Sequence, residues 1–180
     1  MKGVVFTEFM DMVEEVFSDE ILDEIIQKAD LPHGGAYTTV GTYPHQEIVR
    51  LVVALGEETG TDIPVLLEAF GKHLLGQFIK GYPQFFEEAK DVFDFLSNID
   101  SYIHVEVLKL YPDAELPKFH NEQHSDKHIS MYYQSSRHFE DLAVGLIKGT
   151  LEYYKVEGTV NKTESSWQGE EAIKFDIVIT

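Results

Sequence analysis

The chain contains no cysteine. That absence removes disulfides, thiolate zinc sites, cysteine-ligated iron–sulfur clusters and thiol nucleophiles together, and it fits a cytoplasmic protein. Basic residues are also scarce. Fourteen Lys and Arg stand against 32 Asp and Glu, a formal net charge of −18, and a surface of that sign repels both nucleic-acid phosphates and anionic lipid headgroups. Neither nucleic acid nor membrane is an expected partner. No apolar run approaches the length that spans a bilayer. The first segment, MKGVVFTEFMDMVEEVF, has four acidic residues by position 15 and no apolar stretch of signal-peptide length. What the sequence does have is apolar mass. Its 43% hydrophobic content, with 12 Phe and 9 Tyr among 180 residues, is enough for a single domain with a substantial core.

Apolar periodicity divides the chain into two kinds of structure. Phe6, Phe9, Met10, Val13 and Phe17 recur at helical spacing, so an amphipathic helix is expected at the start. Ser18 can cap a second helix bearing Ile21, Leu22, Ile25, Ile26 and Ala29, with Asp19 and Glu20 suited to its N-terminal dipole. Pro44 and Gly60 bracket a third helix, and a fourth runs from Thr61 or Asp62 to Gly81. Pro83 to Ser97 reads as a fifth, and a sixth carries His104 within IDSYIHVEVLKLYP. Beyond Pro112 the pattern changes. Leu116–His124, Lys127–Ser136, Val156–Ser166 and Glu171–Thr180 read as strands, and Phe139–Tyr154 as a long helix between them. Helices first, then a four-stranded antiparallel sheet with a packed helix, make an α+β fold. About residues 1–62 are expected to form a helical lobe and about 63–180 a lobe holding the histidine helix and the sheet.

Two features between Ile99 and Arg137 invite chemistry. At about 100° per residue, Val107, Leu108 and Tyr111 fall on the same side of the sixth helix as His104. A neutral imidazole on an apolar face can ligate a metal, with its second nitrogen held by a neighbouring group; by itself it is more often a packed core residue. The second feature is Tyr133-Gln134-Ser135-Ser136-Arg137. In an extended chain its odd positions share a face, which would align two hydroxyls and a guanidinium against an anion with several carboxylate oxygens.

With His104 followed by Tyr111-Pro112 and Pro117, and Tyr133-x-Ser135-x-Arg137 downstream, the sequence resembles the H-NOX (haem nitric oxide/oxygen binding) family, which includes the sensor domain of soluble guanylate cyclases. The Met-Lys-Gly start, Ala69-Phe70-Gly71 and the terminal strands extend the resemblance over essentially the whole chain. The resemblance implies a haem b (iron protoporphyrin IX) buried between the lobes and bound through iron to His104. Tyr133, Ser135 and Arg137 would hold the propionates and Pro117 would distort the macrocycle. Phe9, Leu74, Phe78, Leu142 and Leu146 are then expected to face the open iron position. Gly145 and Gly149 could serve a flat ligand or simply helix packing.

Relatives that bind dioxygen stably carry a tyrosine nine residues after the motif tyrosine, and Leu142 stands there in this chain. A five-coordinate ferrous haem that selects NO, takes CO more weakly and ignores oxygen is therefore expected. The resemblance further implies a non-catalytic sensor that regulates a histidine kinase or a cyclic-di-GMP synthesising or degrading enzyme; a monomer is expected. Two other readings are an oxygen-binding protein of the same fold and a haem-free module for an apolar ligand or a protein. The cysteine-bound zinc of some relatives should be absent. His120, His124 and His128 are expected to be solvated strand histidines; of the three, the strand alternation fixes only His120 and His124 on one face.

Overall fold

The computed structural model describes residues 1–180. Its architecture is α+β, with eight α-helices and one four-stranded antiparallel sheet. Helix α1 (Gly3–Val16) buries Phe6, Phe9, Met12 and Val13 on one stripe. Helix α2 (Asp19–Ala29) is capped by Ser18, whose side chain accepts from the Ile21 amide at 3.3 Å. Helix α3 (His45–Thr59) follows Pro44 and ends at Gly60, which takes the left-handed conformation (φ 68°) that a glycine adopts without strain. Helix α4 (Ile63–Gly81) has a proline in its first turn.

The expected fifth helix is two. Helices α5 (Pro83–Glu87) and α6 (Val92–Ser97) are separated at Asp91, whose carboxylate accepts from the amides of Phe93 and Asp94, both at 2.9 Å. An aspartate satisfying two free amides starts a new helix. The histidine helix is also divided. Residues Ile99–Ile103 form a π-helical turn, and α7 covers only His104–Leu110.

The sheet has strands β1 (Lys118–Ser125), β2 (His128–Gln134), β3 (Gly158–Trp167) and β4 (Glu170–Ile179), in the order β1-β2-β4-β3. Alternation sends Ile129, Met131, Phe175 and Ile177 into the core, all fully buried. Helix α8 (Glu140–Tyr153) lies between β2 and β3 in sequence.

Two cores result. One is built from α1 to α4 and includes Phe6, Phe9, Leu51, Leu55 and Phe70. The other joins the sheet to α6 and α8 through Phe93, Leu96, Met131, Ile147 and Phe175. Helix α4 serves both, giving Leu74 to the first and Leu75 to the second. It crosses α8 at Gly71 and Gly145, where a Cβ on Gly145 would stand 2.1 Å from the Glu68 carbonyl oxygen. Gly149 meets the end of the Leu75 side chain instead, with a Cβ there standing 2.8 Å from it. At these glycines α8 packs closely on α4, the helix-packing arrangement.

Candidate functional site

A cavity of about 1190 Å³ opens between the two cores, larger than most small-molecule pockets. Its walls come from α1, α4, α7, α8, the segment after α7 and the end of β2. The lining is mainly apolar and includes Leu74, Phe78, Leu142, Leu146 and Ile147.

His104 enters from one wall. The π-helical turn before it is defined by wide bonds, from the Ile103 amide to the Asn98 carbonyl at 3.1 Å and from the His104 amide to the Ile99 carbonyl. Such single turns place an extra residue in a helix and are frequent at functional sites. Here the turn sets Asp100 beneath the histidine ring, with Nδ1 3.1 Å from Asp100 Oδ1. Burial lowers the His104 pKa and the Asp100 carboxylate opposes that shift without cancelling it. The imidazole is therefore neutral at pH 7, with Nδ1–H donated to Asp100. Its Nε2 has no protein partner and belongs to a side chain that lines the cavity. A neutral imidazole oriented by a carboxylate is the arrangement that ligates a metal ion.

Part of the cavity rim is polar. Tyr133 ends the buried part of β2, and its pKa is raised by burial. The strand stops at Gln134, and Ser136 and Arg137 form a turn. The expectation that positions 133 to 137 alternate along one extended face is thus corrected: a turn, stabilised by the Arg137 amide donating to Ser135 Oγ at 3.2 Å, brings the three side chains to the cavity. The Arg137 guanidinium is 14% exposed and paired with Glu115, including a bond to its carbonyl at 3.2 Å.

His104, Pro117, Tyr133, Ser135, Arg137, Leu74, Phe78, Leu142 and Leu146 all line this one cavity. Phe9 does not. It is fully buried in the first core, edge-on to Phe70 at 5.1 Å, while Val4 and Val5 on the preceding turn of α1 reach the cavity wall. Leu108 is 41% exposed and lies outside the lining. Sequence reasoning missed Lys2, Tyr43 and His45, which also line the cavity. Burial, and then the Arg137 charge, hold the His45 pKa below its ordinary value. No periodic signal marks these three, since the chain is brought there by bonds such as Gly3 N–H to the Gly41 carbonyl at 2.8 Å.

An apolar cavity with one free imidazole on its wall and a guanidinium with two hydroxyls on its rim fits a haem, which offers iron, a flat apolar body and two carboxylates. The site and the α+β fold together define the class of haem-based gas-sensor domains. The family model described as Haem-NO-binding matches residues 2–162, and the chain belongs to that family, H-NOX. It is similar to the Fe(II) unliganded H-NOX protein of K. algicida, with 36% identity over 100% of this chain and 97% of that one and a TM-score of 0.93. The H-NOX of Shewanella woodyi, solved in the Fe(II)CO state, is 43% identical over 100% of this chain and 95% of that one, with a TM-score of 0.84. An H-NOX protein from S. oneidensis in the Fe(II)NO state, at 22% identity and a TM-score of 0.90 over 100% of this chain and 99% of that one, shares the fold. No curated protein matches the chain.

Proposed function

We propose that this H-NOX domain is a nitric oxide sensor that holds haem b through His104 and regulates a signalling partner. The observation that carries the reading is the neutral, cavity-lining imidazole of His104, with Nδ1 committed to Asp100 and Nε2 free. When bound, the haem supplies a ferrous iron with one position open to a diatomic gas.

The residues divide the remaining work. Tyr133, Ser135 and Arg137 would hold the propionates, the Arg137 guanidinium being paired meanwhile with the exposed Glu115 carboxylate. Pro117, on the cavity wall, would bear on the macrocycle. Leu74, Phe78, Leu142 and Leu146 keep water and hydrogen-bond donors from the gas side. A donor at Leu142 would contribute on the order of 1–3 kcal/mol to a ligand that gathers negative charge, as dioxygen does, and little to NO. Leu142 therefore favours NO, leaves CO weaker and excludes oxygen.

His104 is the first residue of α7, and Val105 and Leu108 on the same helix are exposed at 45% and 41%. A displacement of His104 thus reaches the surface, where it can bias a partner that contacts the two states differently. A histidine kinase or a cyclic-di-GMP enzyme is the partner this reading expects, and the domain itself contributes no catalytic residue.

The absorption spectrum of the purified chain tests the proposal. A Soret band is expected, with loss in His104→Ala and recovery on adding imidazole, and the ferrous protein should keep its unliganded spectrum in air. A normal five-coordinate ferrous spectrum in His104→Ala would overturn the axial role. A stable oxygen complex of the unmodified chain would overturn the gas preference.

A further inference from the structure

The outer face of the sheet carries a second group of imidazoles and a carboxylate. Ser130 of β2 stands opposite Asp176 of β4, and His128 follows one step along the same face. The β1–β2 pairing that sets Glu122 opposite Ser130 carries His124 to the same face, beside His128. The β1–β2 register shifts between Gln123 and Ser125, so that Ser125 pairs with His128. The extra residue leaves His124 and Ser125 both facing His128, and the rings of His124 and His128 lie 4.5 Å apart. His120 goes elsewhere, stacking on Trp167 at 5.0 Å.

The donor atoms of His124, His128 and Asp176 all fall within 4.8 Å of one another. Asp176 Oδ1 is crowded: His128 Nε2 is 3.0 Å away, Ser130 donates to it at 2.7 Å and Lys174 Nζ lies at 3.1 Å. His124 Nε2 is 2.7 Å from the same serine hydroxyl. Several donors converging on one carboxylate oxygen, beneath two imidazoles, are what a single cation can replace.

We propose that His124, His128 and Asp176 form a binding site for a divalent transition-metal ion of the zinc class, with water completing the shell. Two imidazoles and a carboxylate suit that ion. The set lacks the thiolates that select Cu(I) and has too few oxygens for Ca²⁺ or Mg²⁺. Bonds of about 2.0–2.1 Å to a tetrahedral ion place donors about 3.4 Å apart, so His124, exposed beside the hairpin turn, closes inward on binding. Ser130, fully buried, keeps its bond to Asp176 and orients the carboxylate from behind. Lys174 leaves. None of the three ligands lines the large cavity, so the site is separate from the haem pocket.

Titrating Zn²⁺ against a chromophoric chelator into the purified, chelator-stripped chain tests this. One ion per chain is expected. His124→Ala, His128→Ala and Asp176→Asn should each weaken binding by about tenfold or more, and Lys174→Gln should strengthen it by freeing the carboxylate. His120→Ala should bind as the unmodified chain does. Far-UV circular dichroism of each variant shows that the fold is intact, and the exposed His124 is the substitution least able to disturb it. Absence of saturable one-to-one binding, or unchanged affinity in His124→Ala and His128→Ala, overturns the site; so does a loss confined to His120→Ala.

Discussion

Asp100 sets the donor strength of His104, the proposed iron ligand. Burial alone would leave a weakly basic imidazole, and the carboxylate at 3.1 Å raises the proton affinity part of the way back. A carboxylate on the far nitrogen strengthens donation from the near one. Asp100→Asn keeps an acceptor and removes the charge, so the iron–histidine stretch should fall in frequency and NO should release the histidine faster. Resonance Raman spectra of the ferrous form read this directly, and an unshifted band would remove Asp100 from the ligand's support. For the gas preference proposed above the deciding residue is Leu142, which lines the cavity without a polar atom. Leu142→Tyr should raise oxygen affinity by about tenfold to a hundredfold, the worth of one hydrogen bond in a dry site. No gain in the air-exposed ferrous spectrum would mean that position 142 does not face the bound gas.

At the scale of elements, the α4–α8 crossing sets the width of the pocket. A Cβ on Gly145 would sit 2.1 Å from the Glu68 carbonyl oxygen and 2.9 Å from the Gly71 Cα, both backbone atoms that no rotamer can move. Gly145→Ala should therefore push the helices apart and cost about 1–3 kcal/mol, measured by urea unfolding. Gly76→Ala on the same α4 is the control: nothing lies within 4 Å of its Cβ position, so the alanine should stabilise by about 0.5–1 kcal/mol through helix propensity. Equal effects of the two would refute the close-contact account. Elements with a clear period were legible in the sequence, such as the buried stripe of α1 and the alternation of β4. Their interruptions were not. The break at Asp91 has neither Pro nor Gly within it, the π-helical turn before His104 leaves no compositional trace, and β2 stops at Gln134 where an extended run was expected. Each depends on hydrogen bonds chosen by tertiary packing. The site behaves likewise. His104, Arg137 and Leu142, singled out through the family resemblance, line the cavity, whereas Phe9 and Val5 occupy neighbouring turns of α1 and only the seating of α4 decides which one meets it.

For the whole molecule, the fold resists the ionisation of tyrosines in both cores, and Tyr37 and Tyr154 are the two most strongly shifted. Tyr37 stacks on Phe6 at 4.5 Å in the first core and donates to Glu47 at 2.6 Å; burial, reinforced by that carboxylate, raises its pKa well above the ordinary tyrosine value. Tyr154 donates to the Phe86 carbonyl at 2.7 Å beside the second core, and burial pushes its pKa up to about 12. In the unfolded chain both phenols lose their protons near about pH 10. Between about pH 10 and 12 the unfolded state binds fewer protons than the folded one, so stability is fully present below about pH 10 and falls as pH rises. Urea midpoints at roughly pH 8 and pH 11 should differ in that direction. Tyr154→Phe should be less stable than the parent at the lower pH, having lost a hydrogen bond, and should decline less steeply toward the higher one. Because α4 belongs to both cores, Tyr37→Phe and Tyr154→Phe should shift one common transition. Two separable transitions, each sensitive to only one substitution, would show that the cores unfold independently and that α4 does not couple them.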